Sequence, residues 1–298
     1  MNIIPTGATL GATVAGLDLS RPMTETEFGG VLAALGQYGV LRFPDQHLQS
    51  EDVRAFSARF GELQTSITRQ NSGDPCPEVG VLSNLKEAGA YIGTPDAGQD
   101  WHTDMSYRDV MGFVNVLYGI KIPRRDGKPL GGTEFANMHA AYDDLPQELR
   151  LRLADATVVH DFEKFWEMMR REKGSQRPAM TAEQKAQRPP VVHPLFLTHP
   201  LTGRKVLYCN PGYAVRIQGL PEAESDELLQ FFFTHQLQSK YRYMHEWTEN
   251  DLLIWDHLGT IHQAIADYRP DEIRLIKRCQ VMATKVFTPE FRTLAQAA

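Results

Sequence analysis

The chain has 298 residues, 42% hydrophobic and 23% charged, ordinary values for a globular protein able to bury one large β-rich domain or two smaller ones. A formal net charge of −6 argues against a general nucleic-acid binder, which normally carries a basic face, although the sum does not exclude a local basic cluster. No apolar run approaches a membrane span, the first residues lack the pattern of a secretory signal, and Cys76, Cys209 and Cys279 match no zinc or disulfide framework, so the expectation is a cytoplasmic protein with reduced thiols.

Residues 8–19 read as a short extended segment interrupted by glycines. Thr24 stands where an N-cap belongs, with Glu27 as its capping-box partner. Phe28, Val31, Leu32 and Leu35 follow at helical spacing until Gly39. Val40–Phe43 is a strand ended by Pro44. Ser50 is expected to cap a second helix, with Val53, Phe56 and Phe60 on one face and Gly61 past its end. Residues 64–99 are rich in Gly, Pro, Asn, Ser and Asp, with one strand candidate at 79–82. So long an irregular stretch points to a functional loop.

Strands are expected at 113–120 and 131–137, separated by a charged turn, and a helix from Ala141 to about Leu153. Residues 161–190 interleave Phe162, Phe165, Trp166, Met168 and Met169 with charges. They fit equally an amphipathic surface helix with a linker and a lid insert closing over a substrate. A hairpin between 191–198 and 205–209 turns at His199–Gly203. A helix runs from Glu222 to Leu237, with His235 read as a surface or core residue in preference to a ligand. The last third alternates strands at 251–256, 260–262 and 273–287.

The chemistry concentrates in Trp101-His102-Thr103-Asp104. Residues two apart on an extended strand face the same way, so an imidazole and a carboxylate converge. Such a pair supplies two ligands of a 2-His-1-carboxylate iron site. The bare pattern also fits a strand end whose side chains bond each other or loop amides. His262, just after the turn His257-Leu258-Gly259, is the best candidate for a third ligand. Arg274 and Arg278, four residues apart, share one face of a strand. Buried together they need anions, which a dicarboxylate co-substrate and an acidic substrate would provide. A solvated face is the other reading, and alternation does not choose between them.

Further pieces fall in order along the chain: Gly39-Val40-Leu41-Arg42-Phe43-Pro44-Asp45-Gln46, Phe60-Gly61-Glu62-Leu63, Gly131-Gly132-Thr133-Glu134-Phe135-Ala136, and Trp255-Asp256 ahead of His262. With them the sequence resembles the taurine / 2,4-dichlorophenoxyacetate dioxygenase family of Fe(II)- and 2-oxoglutarate-dependent oxygenases. The resemblance implies a mainly β fold with flanking helices, a double-stranded β-helix (jelly roll), as one domain over residues 1–298. His102, Asp104 and His262 match the family's iron ligands. Thr133 and Arg274 match the residues holding the distal carboxylate of 2-oxoglutarate. Arg278 matches an arginine that meets an acidic substrate group or lies beside the co-substrate.

Ser66 stands where the taurine-cleaving enzyme has a histidine, which points away from a taurine-like sulfonate. Ser66 and Tyr107 join Arg278 as expected substrate contacts, and Tyr107, Met105 and the aromatic insert imply an apolar portion. The implied reaction uses Fe(II), 2-oxoglutarate and O2. It hydroxylates a C–H of a small anionic molecule and releases succinate and CO2. Asp104 disfavours halogenation, because halogenating relatives lack this carboxylate. A non-catalytic jelly-roll binding protein is the alternative. A zinc hydrolase built on the same triad would leave Thr133 and Arg274 without a purpose. A homo-oligomer is compatible with the sequence, although no stretch announces an interface.

Overall fold

The structure is a computed structural model that describes residues 1–65, 74–175 and 178–297. Its centre is a seven-stranded sheet in the order Asn2–Pro5, Ala12–Ala15, Val40–Phe43, Leu252–Asp256, Gly112–Lys121, Leu275–Met282, Gly80–Ser83. All neighbours pair antiparallel except Ala12–Ala15 with Val40–Phe43. A second, three-stranded antiparallel sheet runs Arg242–His245, Thr133–Asn137, Thr260–Ala264. The fold is therefore mainly β with flanking helices.

The large sheet is covered on both faces, and alternation along its strands sorts the residues. Leu41, Phe43, Val116, Leu252 and Ile254 join Val31, Leu32, Val53 and Phe56 of the helices Glu25–Tyr38 and Ser50–Ala58. Val40, Leu117, Leu253, Trp255 and Ile276 pack instead with Phe135 and Trp247 beside the small sheet. Each fully buried side chain of this size stabilises by roughly 1.5–3 kcal/mol of transfer free energy, so the two-sided burial fixes the strand register. The candidate site lies on the small-sheet side.

Local signals set the first helix. Glu27 N–H donates to Thr24 Oγ1 at 3.2 Å, Thr24 N–H donates to the Glu27 carboxylate at 2.8 Å, and Gly39 ends the helix at φ 68°.

Several expectations are corrected. Ser50 is the first helical residue and not the cap: the Asp52 carboxylate accepts from Gln49 N–H at 2.8 Å, and the Ser50 hydroxyl bonds Asp74 instead. The helix expected over 141–153 is two, Met138–Asp143 and Gln147–Arg152, because Pro146 interrupts the backbone ladder. The hairpin is Phe196–Thr198 with Lys205–Leu207, whereas Val191–Pro194 pairs with Thr157–His160 in a separate sheet. The final strand stops at Met282, and Pro289–Gln296 is a helix whose Phe291 meets Phe28, with ring centroids 6.0 Å apart. Of the two places open to it, surface or core, His235 takes the core, with Nε2 2.7 Å from Ala141 O.

Candidate active site

His102 and His262 sit opposite each other as an isolated antiparallel bridge. His102 N–H donates to His262 O at 3.0 Å, and His262 N–H donates to His102 O at 2.8 Å. Their rings lie 4.3 Å apart. Asp104 converges on them by a different route from the extended strand the sequence suggests. Regular pairing ends at His102, the chain turns, and Met105 takes φ 60°. Thr103 Oγ1 donates to His257 O at 2.9 Å and ties this turn to the one preceding His262.

That second turn is itself clamped. The buried Asp256 carboxylate accepts from Leu258 N–H at 2.9 Å and Gly259 N–H at 2.8 Å, and His199 Nε2 lies 2.8 Å away. One ligand-type atom from each of His102, Asp104 and His262 lies within 4.8 Å of the others. His102 Nδ1 is 2.7 Å from Asp100 O. A carbonyl only accepts, so Nδ1 carries a proton toward Asp100 and Nε2 is the ring nitrogen turned to Asp104 Oδ1, 3.4 Å away.

Burial holds the His262 imidazole well below its ordinary pKa, with His102 adding to the effect. Burial pushes the Asp104 carboxyl up, but His102, Arg278 and His257 together hold it well below the usual carboxylate range. A neutral His262 imidazole and an ionised Asp104 carboxylate are the forms in which these two groups bind a divalent metal. The donor set fits iron.

The same cavity takes in Thr133, Arg274 and Arg278. Arg274 is 6% exposed, its Nε has no hydrogen-bond partner, and it forms no ion pair among the described residues. Burial lowers its pKa, partly offset by Tyr268. Its backbone is anchored through Ser83 Oγ–H to Arg274 O at 2.7 Å and Arg274 N–H to Asn84 Oδ1 at 2.9 Å. Gly131, at φ +71°, lets the backbone pass the guanidinium stem; an added Cβ would lie 2.9 Å from Arg274 Cδ and Nε. A buried guanidinium without a counter-charge calls for an incoming anion.

Trp247 Nε1–H donates to Thr133 Oγ1 at 3.0 Å. This bond occupies a lone pair of the hydroxyl and leaves its own proton for a carboxylate. Trp247→Phe should therefore weaken 2-oxoglutarate binding about fivefold, near 1 kcal/mol for one hydrogen bond, measured by anaerobic titration. An unchanged affinity would remove Trp247 from that role.

Phe162, Phe165 and Tyr213 form the apolar wall, with Phe165 4.9 Å from the His102 ring between centroids. Tyr107 stands one layer back. Its ring packs 4.7 Å from both Phe162 and Tyr213, so it supports the wall and does not line the cavity. Met105 is fully buried and also absent from the lining. Ser66 lies outside the described residues. Sequence reasoning missed Asn115, Tyr213, Trp247 and His257. Asn115 alone left a signal, as an amide inside an apolar strand.

Residues 2–280 match the family model for the taurine catabolism dioxygenase TauD, TfdA family. The chain belongs to this TauD/TfdA family. Pentalenolactone F synthase of Streptomyces avermitilis is 34% identical over 284 residues, covering 91% of this chain and 90% of that protein. The (S)-phenoxypropionate/alpha-ketoglutarate-dioxygenase of Sphingobium herbicidovorans is 31% identical, with 88% of each chain covered. The crystal structure of AAD-2 in complex with Mn(II) and N-oxalylglycine superposes with a TM-score of 0.78 at 29% identity, covering 95% of this chain and 99% of that one. As a TauD/TfdA member the protein is a 2-oxoglutarate-dependent non-haem iron dioxygenase, with Fe(II), 2-oxoglutarate and O2 as its cofactor and co-substrates.

Proposed function

We propose that the protein hydroxylates a C–H of a small organic acid with an apolar body, converting 2-oxoglutarate to succinate and CO2. The observation that carries this reading is one cavity holding His102, Asp104 and His262 together with two guanidinium groups, under a wall of aromatic rings. His102, Asp104 and His262 hold the iron, and Thr133 and Arg274 hold the distal carboxylate of 2-oxoglutarate. Iron and 2-oxoglutarate together supply the oxidising power that no side chain has.

The protein's own work is positioning. Arg278, with NH1 3.9 Å from Asp104 Oδ2, lies close enough to the metal ligands to orient an acidic substrate there. Phe162, Phe165 and Tyr213 press on the apolar part and exclude water. The relatives named for phenoxypropionate and 2,4-dichlorophenoxyacetate support a carboxylate joined to an apolar group.

The two sheets are read as the walls of a double-stranded β-helix, within one domain over residues 1–298. The segment 161–190 is read as its lid. Helix Phe162–Glu172 contributes two wall residues, and its far end is tied to the loop before Trp101 through Lys173–Asp100 at 3.3 Å and Ser175 Oγ–H to Asp96 at 2.5 Å. A zinc hydrolase would have no use for the buried Arg274.

The test is a screen of aryl and alkyl carboxylates for succinate release, followed by Arg278→Ala on the best substrate. The variant should lose substrate-coupled turnover well beyond its loss of substrate-free 2-oxoglutarate consumption. Equal losses would assign Arg278 to the co-substrate.

A further inference from the structure

Asn115 is out of character with its strand. It sits in Phe113-Val114-Asn115-Val116-Leu117, whose other four side chains are 0–3% exposed, and it is itself 1% exposed. Its backbone lies opposite Trp255 on one neighbouring strand and Gln280 on the other. Asparagine is a poor strand former, and burying its amide is costly unless the amide is bonded.

The bond it makes is to the catalytic centre. Asn115 Nδ2–H donates to Asp104 Oδ2 at 2.9 Å. An ionised carboxylate only accepts, so the amide nitrogen must be the atom facing it. Arg278 NH1 and His257 Nε2 approach the same oxygen, but at 3.9 and 4.0 Å they lie beyond hydrogen-bond reach. The other oxygen, Oδ1, faces His102 Nε2. The two oxygens of Asp104 are thus unequal: the protein grips one and leaves the other toward the ligand histidine.

We propose that Asn115 is a positioning residue that ties down Oδ2 of Asp104 and commits this carboxylate to offering only Oδ1 to the metal. The inference rests on reading His102, Asp104 and His262 as the metal ligands. Three protein donor atoms leave three of six positions for co-substrate and O2. A carboxylate free to swing could present both oxygens and take a position that 2-oxoglutarate needs. A neutral amide is suited to the task, because it binds one carboxylate oxygen without adding charge beside the metal.

The experiment uses the full chain under anaerobic conditions. Mn(II) affinity is measured by titration, and 2-oxoglutarate affinity by the visible charge-transfer band that forms with Fe(II). Asn115→Leu, close in size but without a donor, should weaken 2-oxoglutarate binding about tenfold and shift the band, while Mn(II) affinity changes much less. Asn115→Gln keeps the amide and should recover part of the loss. Asn115→Ser, too short to reach Asp104, gives the same test if leucine is not tolerated.

Unchanged 2-oxoglutarate affinity and band position in the Leu or Ser variant would overturn the proposal. Parallel losses of Mn(II) binding, 2-oxoglutarate binding and melting temperature would also overturn it, because a merely structural residue gives that pattern. No band in the unmodified protein would remove the metal-site reading itself, and the proposal with it.

Discussion

His102→Ala and Asp104→Ala are each expected to reduce turnover below detection and to leave a folded chain. The His102 backbone bonds to His262 do not involve the ring, so removing the imidazole leaves the bridge between the two segments in place. The cost to stability should stay within about 0.5–3 kcal/mol, the ordinary range for a point substitution. Removing Asp104 also takes away the acceptor for Asn115 Nδ2–H, so this variant should be the less stable of the two. Circular dichroism and thermal melts check the fold, and 2-oxoglutarate consumption with added Fe(II) checks activity. Iron-dependent turnover surviving in either variant would count against these ligands.

Arg274→Ala carries the second large effect. The guanidinium is buried, its Nε has no hydrogen-bond partner and it forms no ion pair among the described residues, so an entering anion supplies the counter-charge it lacks there. Deleting one partner of such a buried pair costs about 3–5 kcal/mol, or roughly two to nearly four orders of magnitude in the 2-oxoglutarate dissociation constant. Relieving the unpaired charge should leave the variant without 2-oxoglutarate at least as heat-stable as the parent chain. The paired measurement is a 2-oxoglutarate titration and a melt of the ligand-free protein. An unchanged dissociation constant would take Arg274 out of the co-substrate site.

What could be read from the sequence follows how local each cause is. The helix Glu25–Tyr38 was legible because Thr24, Glu27 and Gly39 decide its ends within a few residues. The pair His102 and Asp104 was legible as a pair, but the reason was incomplete. An extended strand would align them, whereas the chain turns after His102 and relies on Met105 at a positive φ and on Thr103 bonded to His257. Nothing near Met105 announces that turn.

Strands Thr157–His160, Ala214–Ile217 and Arg242–His245 went unread because what makes them strands is a partner far along the chain. Trp247 was silent for the same reason, since its bond to Thr133 spans 114 positions of sequence. The helix Pro289–Gln296 did carry a local signal, Thr288 as cap with Pro at the first turn, which an over-extended strand reading concealed. The spacing of Arg274 and Arg278 leaves both an inward and a solvated face open, and the structure turns both into the same cavity.

The measurement that tests the central claim most directly is anaerobic addition of Fe(II) and 2-oxoglutarate to the full chain, followed by visible absorption. A weak charge-transfer band that requires both additions, and that is lost in Asp104→Ala, is the expected result. Folded protein that binds neither, or a band that persists without Asp104, would contradict the assignment of the iron and its co-substrate to this cavity.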